Sequence, residues 1–227
     1  MEDIVKIIAH IRTDFPEKFG IPRQSGLVEE LESRIVFEKE YAIAEAFRGL
    51  EEYSHIWIIW GFSRNEGKEW SPTVRPPRLG GNTRKGVFAT RSPFRPNNLG
   101  LSCVKLENIE FTENEGTVLY VSGADLMDGT PIYDIKPYLT LADCHPEAVC
   151  GFAAKTADYS LRVEFPDKLQ GILEEKQQKA LIGVLAQDPR PSYQQDPERI
   201  YIMSFSGYEV SFRVDKDILT VCDMIKG

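Results

Sequence analysis

A chain of 227 residues with 42% hydrophobic and 11% aromatic side chains can bury a real core, which excludes intrinsic disorder and leaves room for one large domain or two small ones. No apolar run approaches the roughly 20 residues of a membrane span. The opening MEDIVKIIAHIRTDF carries acids early and no apolar run before a cleavage site, which predicts no secretory signal and a cytoplasmic protein.

Residues 4–12, IVKIIAHIR, combine alternation with β-branched side chains and predict a strand. Pro16, Gly20, Pro22 and Gly26 follow within eleven positions, so TDFPEKFGIPRQSGL is a fixed loop. Its Pro22-Arg23-Gln24 offers a guanidinium and an amide on stiff backbone; the bland reading is a surface loop with an incidental arginine. Residues 34–38 predict a short strand, and residues 40–48, EYAIAEAFR, a short helix that Gly49 ends. Residues 53–62, YSHIWIIWGF, predict a buried strand with His55 at its start. A lone histidine there is more often hydrogen-bonded core than catalyst.

The net charge of −8 is unevenly spread. Trp70–Leu106 holds seven basic residues, Arg75, Arg78, Arg84, Lys85, Arg91, Arg95 and Lys105, and no acid, which leaves −15 on the rest of the chain. Such a stretch attracts anions: nucleic acid, or a phosphorylated or carboxylated small molecule. Its first half, PTVRPPRLGGNTRKG, has three prolines and three glycines and predicts irregular structure. In the second half GVFAT predicts a strand running into Arg91-Ser92-Pro93-Phe94-Arg95-Pro96-Asn97, where two prolines stiffen the presentation of two arginines.

LGLSCVKLENIEF, a strand of period two around Leu101, Cys103 and Lys105, and GTVLYVSG, joined by ENEG, predict an antiparallel hairpin. In ADLMDGTPIYDIKPYLT, Asp125, Asp128 and Asp134 lie close together around a DGTP bend; a carboxylate at a strand end there can accept ribose hydroxyls, and the bland reading of Asp128 is a turn cap. The pattern weakens over residues 143–160. Cys144, His145 and Cys150 match no common zinc spacing and lack a fourth ligand, so no metal is expected. Residues 157–164 predict a strand and 166–187 amphipathic helix in two pieces, ended by Asp188-Pro189-Arg190-Pro191-Ser192-Tyr193. Three strands close the chain as a small α+β unit. There is no GxGxxG, no GxxxxGKS/T and no alternating βαβ pattern.

Strands dominate the first 140 residues, so a β-barrel or sandwich is expected. GVFATRSPFRPNNLGLS, with TVRPPRLGGN before it and DLMDGTPIYDIKPYL after it, resembles the TrmO (TsaA-like) family. The resemblance extends to IPRQSGL, LEEYSHIWIIWGF and AQDPRPSY, and so to most of the chain. It implies an antiparallel β-barrel domain over residues 1–145 that binds S-adenosylmethionine without a Rossmann fold, and a small α+β domain over 146–227. It further implies methylation of N6 of the threonylcarbamoyl-modified adenosine at position 37 of tRNA by a homodimer. A non-enzymatic RNA-binding barrel would explain the basic stretch but not the PRQ and DGT loops.

Carried residue by residue, the resemblance puts Pro22, Arg23, Gln24, Arg91, Leu101, Leu126, Met127, Asp128 and Gly129 around the cofactor. It assigns Arg75, Arg78, Arg84, Lys85, Arg95, Asp188, Arg190 and Tyr193 to the tRNA. Arg91 or Arg95 would stabilise developing charge, with Tyr193 or Asp128 as proton acceptor. Ser63-Arg64 stands where relatives often carry His-Gln, and Asn98 where proline is commoner.

Overall fold

Alternation of apolar and polar side chains closes the first part of the chain into a barrel. In a computed structural model, residues 5–65, 67, 69–76, 79, 83–156, 159–191, 194 and 196–227 are described. Six strands form the barrel: β1 (Ala9–Arg12), β2 (Glu32–Phe37), β3 (His55–Gly61), β6 (Leu99–Thr112), β7 (Gly116–Ser122) and β8 (Pro131–Pro137). Two short strands, β4 (Thr73–Val74) and β5 (Lys85–Gly86), pair outside it. The barrel order is β1-β2-β7-β6-β3-β8, and every pairing is antiparallel. The period of two is kept along β3, where Ile56, Ile58 and Trp60 point inward and His55, Trp57 and Ile59 are half-exposed. Ile11, Ile35, Ile132 and Leu119 meet them in the interior. Trp60 is paired with Gly100, and a side chain at Gly100 would fall on the indole ring, so glycine is what lets the tryptophan in.

The expected mainly β fold with an antiparallel barrel is what the chain adopts, but several local expectations change. Of residues 5–12, VKIIAHIR, only Ala9–Arg12 is strand: β2 ends at Phe37 opposite Ala9, so Val5 and Ile7 have β-propensity without a partner strand and lie exposed. GVFAT is not a strand. The chain pairs only as far as Gly86, and Val87–Ala89 is a 3₁₀ turn. Both the N–H and the hydroxyl of Thr90 go to the Val87 carbonyl, at 3.1 and 2.8 Å, which uses up the bonding a strand would need. The half expected to be irregular contains β4 and β5. The helix expected over 40–48 is one 3₁₀ turn, Ala44–Phe47, followed by Gly49 at φ 87°. PIYDIKP, not recognised as an element in the sequence, is β8, which seals the barrel between β1 and β3.

Beyond β8 come α1 (Thr140–Asp143) and a 3₁₀ turn, Gly151–Thr156. The last part is a four-stranded sheet in the order β10 (Tyr201–Phe205), β11 (Tyr208–Asp215), β12 (Ile218–Lys226) and β9 (Arg162–Glu164), with β9 parallel to β12. One helix, α2 (Glu175–Ala186), buries Ala180, Leu181, Val184 and Leu185. The expected second helical piece is a 3₁₀ turn, Asp167–Leu169.

The two cores do not follow the chain order. The core of the C-terminal sheet includes Phe15, Val28 and Leu31, with Phe19 and Ile21 packed against it, all from the loop between β1 and β2. Phe15 meets Phe205 edge-on at 5.4 Å and Phe19 stacks on Phe212 at 6.4 Å. The Ser206 N–H bonds the Asp14 carbonyl at 2.9 Å, and Gly20 leaves no room for a side chain beside Met203. Residues 13–31 are therefore barrel in sequence and C-terminal sheet in packing.

Candidate active site at the barrel mouth

The loop after Ile21 leaves the C-terminal core and crosses the end of β7. The Gly26 N–H donates to the Gly123 carbonyl and the Gly123 N–H to Leu31, each at 2.9 Å. Gly26 and Gly123 have φ of +76° and +77°, a conformation that other residues resist. This sets Pro22, Arg23 and Gln24 over the barrel rim: Pro22 is buried, Arg23 and Gln24 half-buried. The Gln24 amide donates to the Arg23 carbonyl, and the Arg91 guanidinium donates to Gln24 Oε1. The loop expected to hold the cofactor and the arginine expected beside it are thus in direct contact across 67 residues of sequence.

Under this pair lies a polar line that starts inside the barrel. Trp60 Nε1–H donates to Ser102 Oγ at 2.9 Å, and Ser102 donates to Asp125 Oδ1 at 2.5 Å. Trp60 and Ser102 are buried and Asp125 is half-buried. Burial pushes the Asp125 carboxyl above the usual carboxylate range, against the pull of Ser102, of the Asp125 and Ser25 backbone N–H groups, and of Arg91. Ser25 Oγ also accepts the Cys103 N–H at 3.2 Å. Ser102 and Trp60 were not singled out in the sequence, and Asp125 stood out only as one of three neighbouring aspartates. The signal was present: an inward serine and an inward indole on neighbouring barrel strands must find polar partners.

The segment from Leu126 to Gly129 is more committed to the fold than expected. The Leu126 side chain is in the barrel core and its carbonyl accepts the Thr13 hydroxyl at 3.1 Å, so its side chain does not face a ligand. The Met127 carbonyl accepts the N–H and the hydroxyl of Thr130, and the Gly129 N–H, at φ +73°, bonds Ile11. The Asp128 carboxylate accepts the Thr13 N–H at 3.1 Å and lies 3.7 Å from Arg12. Leu101 points outward from β6 and is exposed.

The basic stretch forms a lobe beside this mouth. The Val87 N–H bonds the Pro72 carbonyl and the Ser71 N–H bonds Phe94, which ties its two halves together. Arg75, Arg84 and Arg91 are exposed and Lys85 half-buried. Arg95 is turned onto its own loop: Nη1 donates to the Thr90 and Val87 carbonyls at 2.7 and 3.2 Å, and the guanidinium sits over Phe88 at 5.4 Å. Ser63 and Arg64 form a 3₁₀ turn next to the Phe62 N–H bond to the Asn98 carbonyl, so the two departures from the family pattern are neighbours. Arg78 and Tyr193 lie outside the described residues.

Asp188 and Arg190 face inward. Arg190 Nε and Nη2 make a bidentate pair with the Asp188 carboxylate at 2.8 and 3.0 Å, and the Tyr159 hydroxyl donates to it at 2.8 Å. Burial alone would raise the Asp188 carboxyl, but Arg190 and Tyr159 outweigh it and hold it below the usual carboxylate range. The Asp188 carbonyl receives a long contact, 3.5 Å, from Arg23 Nη2. The pair is a strut behind the Pro22–Gln24 loop. Among the described residues no group of three or more His, Cys, Asp or Glu side chains is arranged to hold a metal ion, and Cys144 and Cys150 are exposed.

The chain matches two family profiles: the tRNA-methyltransferase O N-terminal domain over residues 10–144 and the TrmO C-terminal domain over residues 158–227. It is 40% identical over 215 residues to the tRNA (adenine(37)-N6)-methyltransferase of Escherichia coli K12, covering 91% of each chain. It is 37% identical over 236 residues to a Pseudomonas aeruginosa protein, RcsF, whose name carries an S-adenosylmethionine-dependent methyltransferase assignment, covering all of both. A crystal structure of TrmO from Pseudomonas aeruginosa superposes with a TM-score of 0.78 at 32% identity, covering 99% of each chain.

Proposed function

The chain belongs to the tRNA-methyltransferase O family, and on that premise we propose that it methylates N6 of threonylcarbamoyladenosine at position 37 of tRNA, with S-adenosylmethionine as cofactor. The carrying observation is the meeting of Gln24, Arg91 and Asp125 at one edge of an acid-free basic lobe. Methylation of adenine 37 is the activity in the name of the Escherichia coli relative. The threonylcarbamoyl group fits the same site because it adds a carboxylate, and an exposed guanidinium recognises a carboxylate in bidentate fashion.

The residues present fit the cofactor. Arg91 offers an exposed guanidinium for the methionine carboxylate, Gln24 an amide beside it, and Leu101 an outward apolar side chain. Pro22, Arg23 and the turn Met127–Gly129 would complete its surroundings, chiefly through backbone. When bound, S-adenosylmethionine supplies an electrophilic methyl group on a positively charged sulfur. The chain's own part is alignment of N6 behind that methyl and exclusion of water; such positioning supplies on the order of 7–11 kcal/mol in favourable intramolecular cases. The exposed Arg75 and Arg84 and the half-buried Lys85 would take tRNA phosphates. In this reading the barrel domain, residues 1–145, carries the chemistry, and the domain over 146–227 holds its loop. The working form is a cytoplasmic homodimer, as the family resemblance implies.

Mass spectrometry of tRNA nucleosides tests the acceptor. A strain lacking the gene should lose N6-methylated threonylcarbamoyladenosine and accumulate the unmethylated nucleoside; undiminished methylated nucleoside would sink the assignment. Calorimetric titration with S-adenosylmethionine separates an enzyme, which releases binding heat, from an RNA-binding barrel, which releases none.

A further inference from the structure

The carboxylate of Asp125 has no part in the cofactor and tRNA contacts assigned above, yet it is the best prepared acceptor at the mouth. The direction of its polar line is fixed. Trp60 Nε1 can only donate, so Ser102 Oγ accepts its hydrogen bond, and the Ser102 hydroxyl donates in turn to Asp125 Oδ1. Asp125 is thereby held as an acceptor at the end of a buried chain. A carboxylate offers about four lone-pair sites. Ser102 takes one, and the backbone N–H groups of Ser25 and Asp125 also donate to it. That leaves capacity for a further donor on a side chain that is half-buried and not sealed. Arg91 is the charged group that faces it.

We propose that Asp125 is the proton acceptor of the methyl transfer, taking the N6–H proton of the acceptor adenine while Arg91 balances the negative charge that develops beside it. The inference rests on the proposed reaction. The N6–H bond breaks, its electron pair stays on nitrogen and forms the N–CH₃ bond, and the proton passes to the carboxylate and then to water. The S–CH₃ bond breaks with its pair left on sulfur. Burial suits Asp125 to this work, because a carboxyl pushed above the usual range is a stronger base than an exposed one. Asp128, three residues on, is worse placed: one oxygen holds the Thr13 N–H and the other lies beside Arg12.

Asp125→Asn keeps an oxygen for the Ser102 hydroxyl and removes the basicity. With saturating cofactor and threonylcarbamoylated tRNA, kcat should fall about 100-fold or more. The acidic limb of the pH–rate profile should vanish, and the calorimetric Kd for S-adenosylmethionine should stay within about threefold. A kcat within about threefold of the unmodified chain overturns the proposal. So does a weakened Kd with kcat intact, which would make Asp125 a cofactor ligand. A second variant covers misfolding of the first. Ser102→Ala removes the donor to Oδ1, so the carboxyl must titrate higher, read by ¹³C NMR of the cofactor-free chain, and the acidic limb must move up with it. A limb that stays in place overturns the proposal whatever Asp125→Asn does. An unmodified chain inert on tRNA would remove the parent reading; an active chain with an equally active Asp125→Asn removes only Asp125.

Discussion

Two loops rich in proline and glycine meet at the barrel mouth and are held in opposite ways. Residues 13–31, with Pro16, Gly20, Pro22 and Gly26, are fixed from a distance: Phe15, Phe19, Ile21, Val28 and Leu31 are packed into the C-terminal sheet. In the loop over 70–98, residues 87–95 are fixed mostly by themselves, through Thr90 to Val87, Ser92 to Thr90, Phe94 to Ser92 and Arg95 to Thr90. Long-range burial holds backbone to a single conformation; a run of short-range bonds near solvent opens at lower cost. The first arrangement suits a small ligand that must be placed within a fraction of an ångström. The second suits a polyanion whose phosphates are met by exposed arginines that can adjust. The contact from Arg91 to Gln24 joins the two loops, and it is there that precision and adaptability have to meet.

The comparison can be broken most forcibly from the packed side. Phe15 is 1% exposed, and Phe15→Ala should cost about 3–5 kcal/mol of stability in urea titration. The amides of Gly20–Gly26 should exchange faster in the same variant. A loss below about 1 kcal/mol would mean that the C-terminal sheet does not anchor the loop. Next comes the junction. Arg91 is exposed, so Arg91→Ala should leave the thermal midpoint in place while kcat/KM falls about 100-fold, the weight of one charge-stabilising donor. Full activity would rule out the role. The smallest effect belongs to the lobe. Replacing Arg84 and Lys85 together by alanine should move stability by no more than about 0.5 kcal/mol. It should, however, lower the slope of log Kd for tRNA against log salt by about 1.5–2. An unchanged slope would take these two cations off the phosphates.

What could be read from the sequence divides along the same line. β3, β6 and β7 were legible because alternating Ile, Trp, Leu and Val side chains report a half-buried strand directly. So was the convergence of PRQ and TRS, since the family motif carries it. GVFAT misled because β-propensity says nothing about whether a partner strand exists, and the chain has none past Gly86. β8 was hidden by the Pro131 and Pro137 at its ends. The Trp60–Ser102–Asp125 line was invisible because it depends on register: Gly100 and Ser102 face the interior only once β6 is paired with β3. Nor does any local pattern show that Phe15 and Phe205, 190 residues apart, share a core. Burial of Asp188 and Arg190 followed from the same long-range packing, which turned a motif expected at the tRNA into a strut.

The sharing of Phe15 and its neighbours with the C-terminal sheet also orders events during synthesis. The ribosome releases the chain from its N-terminus, and all six barrel strands are available once Pro137 has emerged. The loop between β1 and β2 cannot settle then, because its apolar partners Met203, Phe205 and Phe212 are still untranslated. For some seventy codons a newborn barrel must carry five uncovered apolar side chains beside its mouth. The loop between β1 and β2 is among the first segments made and among the last to be finished, so a ribosome that stalls within β10 leaves a closed barrel with an unfinished mouth.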